Sequence, residues 1–161
     1  MIRKEIIEKI KKAIVPGRTI YIGLGNPYRG DDAIGLYIAQ KLKALLKDRV
    51  YDEFDDLDTL ILNLFNNMKD VEAVVFIDAV DAQLQPCSID VFPISDISSF
   101  SFSTHKFPLD IYGALIESRG IRVSVLGIQP SQLDFNNEIT QCLKSLAEQV
   151  VGIINEREIA R

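Results

Sequence analysis

The sequence predicts a three-layer α/β/α sandwich in a single domain, with a mainly parallel, twisted sheet of about five strands between the helices. Two observations carry that reading. Residues 19–24 (TIYIGL) and 73–77 (AVVFI) are runs of apolar and mostly β-branched residues without regular polar alternation, the pattern of strands buried on both faces. Between and beyond them lie segments whose apolar residues recur at three- and four-residue spacing, as in helices that cover a sheet. A chain of 161 residues is long enough for one packed core, and 47% hydrophobic with 25% charged residues is an ordinary globular balance.

The elements follow in order. Ile6, Ile10 and Ile14 form one apolar stripe on a leading amphipathic helix within residues 1–16, which Pro16-Gly17 stops. The first strand, 19–24, breaks at a glycine-bounded loop over 25–30. A helix then opens at Asp31 and carries Ile34, Tyr37, Ile38, Leu42, Leu45 and Leu46 in helical register. Asp31 and Asp32 fall where an N-cap and first-turn carboxylates are favoured. Six acids between Asp48 and Asp58 flank Val50-Tyr51, which reads as a weak strand beside a solvated loop. Leu60, Ile61, Leu64 and Phe65 mark a brief helix, and 73–77 is the central strand, ending on Asp78. Residues 89–94 read as extended, 95–104 as a serine-rich loop, 107–116 as a helix and 121–128 as a strand closed by Gln129-Pro130. Residues 138–154 form a last amphipathic helix.

Composition narrows the function. A formal charge of -5 repels nucleic acid and anionic lipid alike, so neither a nucleic-acid nor a membrane partner is expected. Cys87 and Cys142 stand 55 positions apart in no metal-ligand spacing and predict neither a zinc site nor a disulfide framework. With no long apolar run near the amino terminus, the expected compartment is the reducing cytoplasm.

Three side chains stand out as candidates for chemistry. Asp32 opens a helix after a glycine turn, Asp78 closes an apolar strand, and His105 is the single histidine, in a polar loop (SFSTHKFPLD). A doubly wound sheet brings such loops to the carboxyl ends of its strands, where ligands bind. Two carboxylates and an imidazole suit a divalent transition ion with open positions. The glycine turn is not a dinucleotide fingerprint, because Tyr28 takes the place of the third glycine and two aspartates would repel a pyrophosphate. Ser101 and Ser103 near His105 are the ordinary content of a polar loop, and neither cysteine has a neighbour that would activate it.

The stretch GLGNPYRGDDAIG resembles the amino-terminal signature of the hydrogenase maturation endopeptidases. FIDAVDA resembles their second motif, STHKFPL their third, and GIQP their closing strand and turn, so the resemblance spans about residues 19–154. Carried over by position, the family's metal-contacting residues fall on Asp32, Asp78 and His105. Asp32 stands where many members have glutamate, one methylene longer, and Asp32 and Asp78 are the candidates for the hydrolytic carboxylates, with polarisation of the scissile carbonyl by the bound ion as the alternative. The resemblance implies an aspartic-type endopeptidase that removes the carboxy-terminal extension of the nickel-loaded precursor large subunit of a nickel-iron hydrogenase. Ni2+ is then carried by the substrate and read by the enzyme, whose free form is expected to be metal-free. The alternatives are a non-enzymatic metal- or nucleotide-binding module and, more distantly, a peptidyl-tRNA hydrolase. That last family shares GLGNP, but the histidine it needs shortly afterwards is missing from YRGDDAIG.

Overall fold

A computed structural model describes residues 1–66, 69–99, 101–102, 107–135 and 138–160. Strands β1 (Thr19–Gly23), β2 (Val50–Asp52), β3 (Ala73–Asp81), β4 (Ile89–Pro93), β5 (Ser101–Phe102) and β6 (Arg122–Ile128) form one sheet. Its order is β2-β1-β3-β6-β4, and β5 adds to the end of β3. β2, β1, β3 and β6 run parallel, while β4 and β5 are antiparallel to their partners. The helices are α1 (Lys4–Ala13), α2 (Ile34–Leu46), α3 (Leu57–Phe65), α4 (Leu109–Glu117) and α5 (Gln141–Ile159). The predicted sandwich is therefore the observed one.

Strand alternation divides the core. Tyr21, Val75, Ile77 and Leu126 face α1, α2 and α5, where Ile38, Leu42, Leu143 and Val150 meet them. Ile22, Phe76, Val123 and Val125 face α3 and α4, where Leu60, Leu64 and Ile116 close the second layer. The parallel strands read as continuous apolar runs because both faces are covered. The leading helix buries Ile6 and Ile10 against β4, β6 and α5, with Ile14 sealing its end. No helix among the described residues is long and apolar enough to cross a membrane.

Several local expectations are corrected. Central β3 runs three residues past Asp78, because β6 pairs with Asp78 and Ala79 and β5 with Val80 and Asp81. Asp31 and Asp32 cap no helix. They sit in a separate 3-10 turn, Gly30–Ala33, and α2 starts only at Ile34, with no side-chain cap. The acidic stretch after β2 is not only solvated: Asp52 and Asp55 share Lys43, and Asp56 accepts the N–H of Thr59 at 3.1 Å to cap α3. Residues 94–99 of the serine-rich stretch form a 3-10 turn, and 101–102 are β5.

Cys87 and Cys142 are joined in a disulfide, with their Cα atoms 6.2 Å apart. Spacing in the chain could not announce this pair; the antiparallel addition of β4 brings Cys87 beside the start of α5. The cysteine count therefore no longer argues for a reducing compartment.

Candidate functional site

The site lies at the carboxyl edge of the parallel strands. β1 ends at Gly23 opposite Ile77, and the Leu24 N–H donates to the Ile77 carbonyl at 2.8 Å, so the chain leaves β1 directly beside Asp78. The turn carrying Asp32 packs on this strand end. A β-carbon at Gly25, whose φ is +153°, would overlap the Asp32 backbone oxygen, and one at Gly35 would overlap the carbonyls of Leu24 and Ile77. Glycine is thus required at both positions for the first turn of α2 to pack against the end of β1 and the Ile77 carbonyl of β3.

Asp31, Asp32 and Asp78 are all fully buried. Burying a carboxylate is costly unless protein or ligand groups compensate it, which makes these three aspartates the candidates for a site. Asp78 accepts the N–H of Ala79 at 2.9 Å. By strand alternation it lies on the face of Phe76, whose ring packs at 5.8 Å on that of Phe107. His105 lies outside the described residues, two positions before Phe107. Asp32 and Asp78 are thus brought to one edge of the sheet, and among the described residues no group of three acids, cysteines or histidines could hold a metal by itself.

Two further side chains shape this edge and had not been singled out for chemistry. Asp31 accepts the N–H groups of Ser131, Gln132 and Thr140 at 2.8, 2.9 and 2.7 Å. Gln129, buried at the end of β6, accepts the N–H groups of Ala82 and Leu84 and donates to Asp81 at 3.2 Å, fixing the turn after β3. Neither carries a local signal, since every one of these partners lies far away in sequence, 45 positions at the least. Beside the edge, an open groove of about 580 Å³ is lined by Glu53, Asp55, Asp58, Phe107 and Tyr112. Tyr28, Phe54 and Phe135 are exposed on the loops of this same edge.

Buried carboxylates at the carboxyl edge of a doubly wound sheet put this chain among the α/β proteins that bind ligands at that edge. Comparison with known proteins narrows that class. Residues 36–157 match the hydrogenase maturation protease family, and this chain belongs to that family of peptidases. The matched stretch contains Asp78 and His105 and begins after Asp32. A Methanocaldococcus jannaschii protein named as a hydrogenase maturation protease is 25% identical over 99% of this chain and 99% of its own. The structure of the endopeptidase HycI from Escherichia coli is similar at a TM-score of 0.68 with 28% identity, covering 84% of this chain and 87% of that one. A Thermococcus kodakarensis NiFe hydrogenase maturation protease shares the fold at a TM-score of 0.78 and 24% identity, over 93% and 98% of the two chains.

Proposed function

We propose that this protease removes the carboxy-terminal extension of the precursor large subunit of a nickel-iron hydrogenase, and that nickel already bound to that substrate is what it recognises. The observation that carries the reading is the placing of Asp32 and Asp78, two fully buried carboxylates from different elements, at one edge of the sheet. His105 is assigned with them as the third contact, on the family resemblance. A divalent cation on the substrate offsets the buried negative charge and orients the tail, and the imidazole favours nickel over a harder ion.

The chemistry assigned to the chain is carboxylate-assisted hydrolysis, an aspartic-type mechanism. One of Asp32 and Asp78 takes a proton from water as the water oxygen bonds to the scissile carbonyl carbon. The carbon–nitrogen bond then breaks, and the proton passes to the departing amine, which leaves as the free amino terminus of the tail. The exposed rings of Tyr28, Phe54 and Phe135 offer apolar surface to a protein substrate at the same edge. The reaction is assigned to the cytoplasm, where the precursor chain is made.

The test is to incubate the purified protein with nickel-loaded precursor, with nickel-free precursor, and with the His105→Ala variant on loaded precursor, following tail release by mass spectrometry. Release from the loaded form alone, abolished in the variant, is expected. Equal trimming of both precursors would overturn nickel recognition. No trimming of either, with a metal or nucleotide held tightly by the free protein, would favour a binding module.

A further inference from the structure

Asp31 is the buried carboxylate that the hydrolysis above does not use. Both of its oxygens are taken by protein donors: Oδ1 accepts Thr140 N–H at 2.7 Å, and Oδ2 accepts Ser131 N–H, Gln132 N–H and the Thr140 hydroxyl at 2.8, 2.9 and 3.2 Å. Every donor belongs to the segment joining β6 to α5. The same two stretches meet three more times. The Asp31 N–H donates to the Gln132 carbonyl at 3.0 Å, Arg29 Nε donates to the Leu133 carbonyl at 3.1 Å, and a β-carbon on Gly30, at φ +54°, would stand 3.0 Å from the Gln132 oxygen. With both oxygens engaged by protein donors and the side chain fully buried, Asp31 offers no exposed atom to a substrate, so its effect on the site passes through the backbone.

We infer that Asp31 is a positioning residue for tail cleavage: by clamping Ser131, Gln132 and Thr140 it sets the turn from which the adjoining Asp32 projects. The inference rests on the proposed hydrolysis for its kinetic consequence, but not for its structural one. Hydrogen bonds from backbone N–H groups to an ionised carboxylate are short and strong, and together they hold the turn in one register. An amide of the same shape accepts through one oxygen only and turns two N–H donors toward donors, so Asp31→Asn breaks the clamp without emptying the space.

The experiment compares wild type, Asp31→Asn and Thr140→Val, the last losing only the hydroxyl donor. Amide spectra without substrate are recorded first. In Asp31→Asn the N–H resonances of Ser131, Gln132, Thr140 and Asp32 are expected to move, with those of α1 unchanged; in Thr140→Val the Asp32 shift is smaller and in the same direction. On loaded precursor, Asp31→Asn is expected to lower kcat at least tenfold with KM within threefold, and Thr140→Val to lower kcat about threefold. Asp32 resonances that stay in place in both variants, or a folded Asp31→Asn with kcat within twofold of wild type, would overturn the inference. If Asp31→Asn does not fold, Thr140→Val decides by the same two readouts. A wild type that trims nothing would sink the proposed hydrolysis instead, leaving the Asp32 shift to judge the clamp.

Discussion

Both edges of the sheet bury carboxylates, and they neutralise them by different means. At the amino edge Glu158, in the last turn of α5, accepts from the Tyr21 hydroxyl at 2.6 Å, the Gly17 N–H at 2.8 Å and the Arg49 guanidinium at 3.0 Å. Burial pushes its carboxyl up, but the Arg49, Tyr21 and Gly17 donors together outweigh this and hold it below the usual glutamate range. Burial and the Glu158 carboxylate in turn push the Tyr21 phenol far above its ordinary value. At the carboxyl edge Asp31, Asp32 and Asp78 lie within one strand-and-turn neighbourhood, and Asp31 is held by backbone N–H groups and a hydroxyl, with no cation among its partners in the described residues. Burial alone does not distinguish a staple from a site. The company differs: one carboxylate with its own arginine holds helix to sheet, whereas Asp31 at the other edge is held by uncharged donors beside two further buried acids. Helix α5 joins the two, through the disulfide and Thr140 at its start and Glu158 at its end.

The sharpest way to break this contrast is to remove one charge at each edge. Asp78→Asn is expected to lower the rate of tail release at least a hundredfold, the range for a lost general acid or base, while Glu158→Gln leaves it within twofold at temperatures where both variants are folded. Equal losses would make the two edges alike. Reducing the Cys87–Cys142 bridge frees a loop of 55 positions and is expected to lower the unfolding free energy by up to about 4 kcal/mol, read from denaturant titrations with and without reductant.

Glu158→Ala strands Arg49 and Tyr21 and is expected to cost about 3 kcal/mol in the same titration. Because its folded pKa lies below the unfolded value, Glu158 stabilises the protein fully above about pH 4.3, and that contribution is lost as pH falls through the folded pKa. Wild type should therefore lose more stability than Glu158→Gln as pH is lowered from about 6 to about 3, with the difference closing in that acid window. A variant that tracks wild type in parallel would deny the staple. The smallest effect is Tyr21→Phe, about 1 kcal/mol, since Glu158 keeps Arg49 and Gly17 as donors.

How far the chain could be read depended on how local each signal was. The layers and the parallel strands were legible because apolar runs and helical stripes repeat every few residues. The positions of Asp32 and Asp78 were legible because a glycine turn and an apolar run each end beside them. The capping role given to Asp31 was wrong for a physical reason: a carboxylate before an apolar helix looks the same whether it accepts from its own first turn or from residues a hundred positions away. Asp78 looked like a strand end because β5 and β6, which carry β3 past it, are distant in sequence.

By itself the sequence determined the sandwich, the order of its elements and the motifs that resemble a maturation protease, since each is written in residues close together along the chain. Only the tertiary structure decided that Cys87 meets Cys142, that Glu158 closes on Arg49 and Tyr21, and that Asp31 clamps the segment before α5. These are pairings across 55, 109, 137 and 109 positions, and no local propensity selects one distant partner over another until the packed sheet has brought both to the same edge.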